Sequence, residues 1–567
     1  MCGIAGILGE KASRASLEAM LDKQMHRGPD DTGIYIDDKI ALGHNRLSII
    51  DLSPEANQPF HDVTKRYYVI FNGEIYNYLE LRKDLEYPFS TSSDTEVLLA
   101  AYIKWGSECL HKLNGMFSFA IWDSEHKKLF AARDRFGVKP FYYHQDRNNF
   151  VFASEIKTLH ALGINKEPNR SVWANYFCYG SYGMPTETFW KNIHQLQGGH
   201  YLEIDRDEIS INRWYCFEDI IKEKQAVFKD QDVRNQYVEL LKDSIRLRFR
   251  ADVTVGFNIS GGLDSSTLLS FVNQTQDSER INAYTFYTNN EMYDELPWAR
   301  EMIEYTEHPL HEVLLSVKEV KSLALKIHDY QEEPYGGIPT IAYAKIFEKA
   351  RKDNVLVLLD GQGMDEQWAG YDYYFNTDNQ QVIQGVKTSP FRKNVLSDEL
   401  LTRAQKPEYP EYFEDELLNK QYRDLFYTKI PRALRFNDRI SMAYSTELRE
   451  PFLDHRLVEF AFALPKKYKI REGVQKYLLR EIVSETLSSH ISYAPKRPLQ
   501  TPQREWLSKE LSSLVGDSLE RIKNSVYSDW FKTEALEKEW ILYKQGNNDS
   551  SFHIWQWLSL AFIIDGN

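Results

Sequence analysis

From the N-terminus to about residue 205, short, largely apolar, strand-like runs recur at 33–36, 67–71, 117–122, 128–132, 141–144 and 150–153. Gly, Asn and Asp punctuate these runs, a pattern that predicts strands joined by tight turns. The stretches 16–25 and 94–105 instead space their apolar residues three and four apart and predict helices. Stacked sheets covered by helices, an α+β sandwich over 2–205, satisfy both signals. Residues 205–229 are charged and weakly periodic, which predicts a linker over 206–232. From Val233 to the end, helical runs alternate with apolar strand runs at 254–259, 282–287 and 355–359. That alternation predicts a second, α/β domain over 233–567 with a parallel sheet. Ligands bind such sheets at the carboxyl ends of the strands, so the loops that follow those runs are where chemistry is expected.

Composition narrows the picture. A chain of 567 residues that is 42% hydrophobic has ample core for two domains. Its formal charge is −14, from 69 Lys and Arg against 83 Asp and Glu. That balance argues against a nucleic-acid partner, which needs a basic footprint. Cys2, Cys109, Cys178 and Cys216 are scattered without metal-ligand spacing, as expected of reduced thiols in a cytoplasmic protein. No apolar run reaches the ~18 residues of a membrane helix, and no signal peptide is visible.

Cys2 follows Met1 directly. Removal of Met1 puts a thiol and a free α-amine on one residue, and an amine of pKa near ~8 serves as its own base close to neutrality. The segments that follow are Cys2-Gly3-Ile4-Ala5-Gly6, His26-Arg27-Gly28-Pro29-Asp30, Gly43 to Ile49, Phe71-Asn72-Gly73-Glu74-Ile75-Tyr76-Asn77 and Ser93-Asp94-Thr95-Glu96. In this order they resemble the class II glutamine amidotransferases. The resemblance implies Cys2 as nucleophile and an oxyanion hole from the Asn72 side chain and the Gly73 N–H. It implies Arg46 as a clamp on the glutamine α-carboxylate, Glu74 and Asp94 on its α-ammonium, and Leu47 and Ile50 beside the substrate.

Residues 253–266 read as an apolar strand, a Gly-Gly turn and Asp-Ser-Ser opening a helix. Glycines admit an anion to backbone N–H groups, and the helix N-terminus adds positive potential. The Ser260-Gly261-Gly262-Leu263-Asp264-Ser265-Ser266 loop resembles the pyrophosphate loop of enzymes that release AMP and pyrophosphate. It lacks the Gly-Lys-Ser/Thr ending of kinase-type loops, so adenylation is expected. Asp264 and Asp365 are the candidate Mg²⁺ ligands, and Lys476 the candidate neutraliser of the leaving pyrophosphate. Residues 441–454 are expected as a helix-to-loop segment bordering this site.

Nearly the whole chain resembles glutamine-hydrolysing asparagine synthetases. This implies an αββα N-terminal-nucleophile sandwich followed by an α/β synthetase domain of the pyrophosphate-loop, adenine-nucleotide α-hydrolase-like kind. It further implies ATP and Mg²⁺ as cofactors, with Asn258, Phe286, Asp360 and Gly361 joining the loop at ATP. Glutamine and a carboxylate acceptor are the implied substrates, aspartate by default, in a homodimer with an internal ammonia tunnel. A dry conduit keeps ammonia neutral, because burying an unpaired charge is costly. Two departures fall in the acceptor pocket. Gln362 replaces a family glutamate, and an amide takes no proton from an attacking nitrogen. Gln331-Glu332-Glu333-Pro334-Tyr335-Gly336-Gly337 replaces the segment associated with aspartate recognition. Asp360, Glu332 and Glu333 are therefore candidate bases beside Gln362, and a uronic-acid sugar or a peptide carboxyl is the alternative acceptor.

Overall fold

A computed structural model describes residues 1–206, 208–275, 280–304, 306, 308–375, 389–494, 500–547 and 549–565. Two six-stranded sheets face each other in the N-terminal part. One runs His194–Gln195, Tyr142–Gln145, Asn149–Ala153, Gly3–Gly9, Ile40–Arg46 and Asp31–Ile36 from edge to edge. The other runs Glu208–Arg213, His200–Asp205, Lys128–Arg133, Gly115–Asp123, Tyr67–Ile75 and Phe60–His61. Ile4, Leu42 and Phe152 from the first meet Ile70, Ala120 and Trp122 from the second in a buried layer. Helix Arg14–Gln24 packs on the outer face of the first sheet, and helix Asp94–Trp105 on that of the second. This is the expected αββα sandwich. Each sheet buries both faces, so the central strands lack the alternation of a half-exposed strand.

The expected linker is largely regular structure. Glu208–Arg213 pairs antiparallel with His200–Asp205 and extends the second sheet. Helix Phe217–Ala226 then buries Phe217 and Ile221 beside Phe462 of the C-terminal part. The charges that suggested a linker lie on the exposed faces of an edge strand and a surface helix.

The C-terminal part is built on a five-stranded, wholly parallel sheet in the order Leu310–Leu314, Ala283–Tyr287, Val255–Asn258, Val357–Leu359 and Glu447–Arg449. The last strand corrects the reading of 441–454 as helix to loop. Helix Lys429–Met442 ends before it, and the strand pairs with Val357–Leu359. No described helix is long and apolar enough to cross a membrane.

Candidate active site

Two strands of the N-terminal sheets bring the first group of residues together. Gly3–Gly9 begins directly after Cys2, and Tyr67–Ile75 carries Asn72, Gly73 and Glu74. The Cys2 main-chain N–H donates to Asn72 Oδ1 at 3.0 Å. The Nδ2 of the same amide is buried and without a hydrogen-bond partner, a donor held ready for an oxygen that gains charge beside the thiol. Gly73 is required by close approach, since a Cβ there would stand 2.1 Å from the Met116 carbonyl oxygen of the paired strand. Cys2 Sγ lies 3.9 Å from the Leu47 carbonyl oxygen. Burial pushes this thiol up, and the N-terminal charge and the Leu47 contact pull the other way.

The Arg46 guanidinium is pinned by the Ser53 carbonyl at 2.7 Å, Asn57 Oδ1 at 2.5 Å and the Asp51 carbonyl. Ile50 and Leu47 pack in the apolar cluster that also holds Met1. Glu74 and Asp94 are both buried. Burial and then Glu447 and Asp94 push the Glu74 carboxyl well up; burial and Glu447 lift Asp94 to about 6. Ser93 caps helix Asp94–Trp105, and Asp94 accepts the Ile75 N–H at 2.9 Å, which fixes it in place. Neighbouring buried carboxyls repel, and an ammonium group placed between them relieves that repulsion.

The second group sits at the carboxyl ends of Val255–Asn258 and Val357–Leu359. A cavity of about 220 Å³ is lined by Asn258, Ser260, Asp264, Ser265, Phe286, Asp360, Gly361 and Gln362. Helix Leu263–Thr275 starts at its wall. Gly261 has φ +73°, and a Cβ on it would meet Trp298 Cβ at 2.4 Å, so only glycine fits this turn. Lys476 Nζ stands 2.5 Å from Asp264 Oδ1 and 2.7 Å from Asp365 Oδ1. Two carboxylates thus converge on one cationic point beside the loop. Mg²⁺ is commonly bound by one or two carboxylates and the phosphates of its substrate, so this donor set fits it. No group of three or more metal-binding side chains occurs among the described residues, so substrate phosphate oxygens would have to supply the remaining ligands. Tyr343 and Asn437 also line the cavity. Both come from helices remote in sequence, with no local motif to mark them.

The structure does not bring Glu332 and Glu333 to this cavity, which corrects their reading as candidate bases. Glu332 accepts the Ile156 N–H at 3.0 Å and the Lys157 N–H, and pairs with Arg439 at 3.1 Å. Glu333 accepts the Phe189 N–H at 2.8 Å and pairs with Arg435 at 2.8 Å. Both carboxylates satisfy backbone donors along the buried seam between the two parts of the molecule. Tyr335 is fully buried against Trp555 and donates to the Ala324 carbonyl at 3.1 Å.

The same seam joins the two sites. Arg27 donates to both Asp438 oxygens at 2.9 and 3.1 Å and to Glu155 at 3.0 Å, all buried. Strand Glu447–Arg449 reaches across. Glu447 Oε2 is 2.9 Å from the N-terminal nitrogen of Met1, and Arg449 Nη2 is 3.4 Å from Glu74. The N-terminal charge and Arg449, working against burial, hold Glu447 down at about 2. A larger cavity of about 680 Å³ opens along the seam, with Arg133, Tyr142, Tyr182, Lys429, Arg432 and Asp438 in its lining.

A thiol and oxyanion donor on a buried sandwich, beside a glycine-loop cavity on a parallel sheet, define a two-site amidotransferase. Comparison with known proteins agrees in both parts. Residues 1–215 match the glutamine amidotransferase domain and residues 236–564 match the asparagine synthase model. The chain is 30% identical to asparagine synthetase [glutamine-hydrolyzing] 3 of Bacillus subtilis over 96% of its own length and 91% of that protein's. It is 35% identical to a putative asparagine synthetase of Methanocaldococcus jannaschii over 66% of its length and 76% of that protein's. It is 27% identical to the amidase chry2 of Gibberella zeae, over 94% of each. The chain belongs to the asparagine synthase family, and it is a glutamine-hydrolysing, ATP-dependent ligase.

Proposed function

We propose that Cys2, freed of Met1, hydrolyses glutamine, and that the ammonia is consumed at the glycine-loop cavity by a carboxylate activated as its acyl-adenylate. Aspartate is the first acceptor, giving asparagine, glutamate, AMP and pyrophosphate. The observation that carries the reading is the convergence of Asp264 and Asp365 on Lys476 beside the Gly261 turn, in one chain with the Cys2–Asn72 pair. In this reading the α-amine of Cys2 takes the thiol proton, and the unpartnered Asn72 Nδ2 and the Gly73 N–H hold the developing oxyanion. Arg46 holds the glutamine carboxylate, and Glu74 and Asp94 its ammonium. Asp264 and Asp365 would hold Mg²⁺, which neutralises phosphate charge when bound, while Lys476 stays with the leaving pyrophosphate. A homodimer belongs to the same reading and is checked by light scattering.

A second reading keeps the mechanism and changes the acceptor to a larger carboxylate. The burial of Glu332, Glu333 and Tyr335 in seam contacts favours it, because that segment then offers no side chain to an aspartate. One assay separates the two: AMP and pyrophosphate release with glutamine and MgATP over aspartate, uronic acids and peptide carboxyls. Release with aspartate supports the first, and release with another acid alone supports the second. Release with none, or release undiminished by chelation of Mg²⁺, contradicts both.

A further inference from the structure

The cavity of about 680 Å³ along the seam shares no lining residue with the glycine-loop cavity, and its size is that of a site for a small organic molecule. The chain is acidic overall, yet Asp438 is the only carboxylate in this lining among the described residues. Arg27 already holds it.

Helix Lys429–Met442 supplies one wall. Lys429, Arg432, Arg435 and Arg439 recur on it at three- and four-residue spacing, so they share one face, ~15 Å long at ~1.5 Å per residue. Arg435 pairs with Glu333 at 2.8 Å and Arg439 with Glu332 at 3.1 Å. Lys429 and Arg432, both half-buried, make no hydrogen bond or ion pair among the described residues. Ring faces hold them instead. Lys429 Nζ lies 4.8 Å from the ring centre of Tyr371, and the Arg432 guanidinium carbon 5.7 Å from that of Tyr182. A ring face steadies a cation without using up its N–H donors.

Both cations stand in the first turn of their helix, where the dipole disfavours positive charge. No acid stands in that turn, and no side-chain hydrogen bond caps it. Burial and then Arg432 hold the Lys429 ammonium down at about 7, against the pull of Asp424 and Glu366. An anion at this point relieves the repulsion. A phosphate group suits a lysine, an arginine fork and a helix N-terminus together.

Toward the other end of the face, Tyr142 from the N-terminal part has its ring centre 5.0 Å from the Arg439 guanidinium carbon and is 2% exposed. It lines the cavity, and its hydroxyl has no hydrogen-bond partner among the described residues. A buried hydroxyl left unpaired is costly, and a polar atom of a ligand in the cavity satisfies it.

We propose that the seam cavity binds a phosphate monoester with an extended organic body, its phosphate at Lys429 and Arg432 and a polar atom of its body at Tyr142. The ligand bridges the two parts of the molecule and is separate from the nucleotide held at the glycine loop.

The test is equilibrium dialysis with uridine 5′-monophosphate, glucose 1-phosphate and citrate at constant ionic strength. Wild type is compared with the double variant Lys429→Gln, Arg432→Gln, with Tyr142→Phe and with Lys476→Ala, and glutaminase turnover in each preparation reports folding. At least one phosphate monoester is expected to bind wild type at one per chain, and which of the two binds tells a nucleoside body from a sugar body. The double variant is expected to bind it about 100-fold more weakly, and Tyr142→Phe about tenfold more weakly. Lys476→Ala, altered only at the glycine-loop cavity, is expected to bind it as wild type does. Tyr142→Phe removes a single hydroxyl and decides the matter if the double variant does not fold. Binding of neither phosphate monoester, binding of citrate alone, undiminished binding in a folded double variant or in Tyr142→Phe, or loss of binding in Lys476→Ala overturns the proposal.

Discussion

Asp360 donates its main-chain N–H to the Arg449 carbonyl oxygen at 3.0 Å. Through its guanidinium, Arg449 also stands 3.4 Å from Glu74. One residue of the edge strand therefore touches the wall of the nucleotide cavity and the wall of the amide-hydrolysing site. Any shift of that strand is felt at both ends.

Asn72 is the most economical place to test the first site. Its Oδ1 fixes the Cys2 nitrogen and its Nδ2 is the free donor. Asn72→Ala is expected to lower glutaminase kcat by about 10²–10³-fold, while ammonia-dependent amide formation persists. A coupled glutamate assay beside an ammonia-fed assay checks it.

Lys476 separates the second site from the first. With Lys476→Ala, Asp264 and Asp365 face each other without their shared cation. AMP release is expected to fall about 100-fold, with glutaminase turnover retained. Pyrophosphate detection and glutamate detection on the same sample give both readouts.

Asp94 predicts a pH dependence. Burial and Glu447 raise it from an ordinary 3.8 to about 6. A carboxyl raised in the folded chain contributes stability that is complete below its unfolded value and is lost as pH rises through its folded value. The full contribution is therefore lost at pH near ~8, part of it is already lost near ~5, and none is lost below the ordinary 3.8. Asp94→Asn is expected to melt higher than wild type at the alkaline pH, with the gain shrinking toward the acid one, and to raise KM for glutamine. Thermal melts at both pH values and one glutamine titration decide it.

Arg27 ties the seam. Its guanidinium spans Asp438 and Glu155 and also donates to the Cys2 carbonyl at 3.1 Å. Removing one partner of a buried ion pair strands the other, at about 3–5 kcal/mol. Arg27→Met is expected to lower the melting temperature and to release more glutamate per AMP formed. Differential scanning calorimetry and product stoichiometry measure the two effects.

Much of this was legible in the sequence, and the limits have physical reasons. Helix Asp94–Trp105 follows its apolar spacing, and the runs at 117–122 and 150–153 lie inside strands. Gly3–Gly9 and Ile40–Arg46 gave no strand signal, because central strands buried on both faces carry glycine and polar site residues in place of alternation. Glu447–Arg449 is three residues long and two of them are charged; only its parallel pairing and the ion pairs at its ends make it a strand. At the sites, Cys2 lies with Asn72, and Asp264 with Asp360 at the cavity and with Lys476; each belongs to a local segment that a motif marks in the sequence. Glu332 and Glu333 were misplaced for the complementary reason. An acid that satisfies the backbone N–H groups of Ile156 and Phe189, more than 140 residues away in the chain, looks in sequence like any other acid.

The most direct measurement follows the nitrogen. Glutamine labelled with ¹⁵N in its side-chain amide is supplied with MgATP and an acid that supports AMP release, in a large excess of unlabelled ammonium. If ammonia made at Cys2 passes inside the molecule to the cavity at Asp360, the product amide keeps most of the label. Dilution of the label to the level of the bulk ammonium pool would contradict a joined pair of sites.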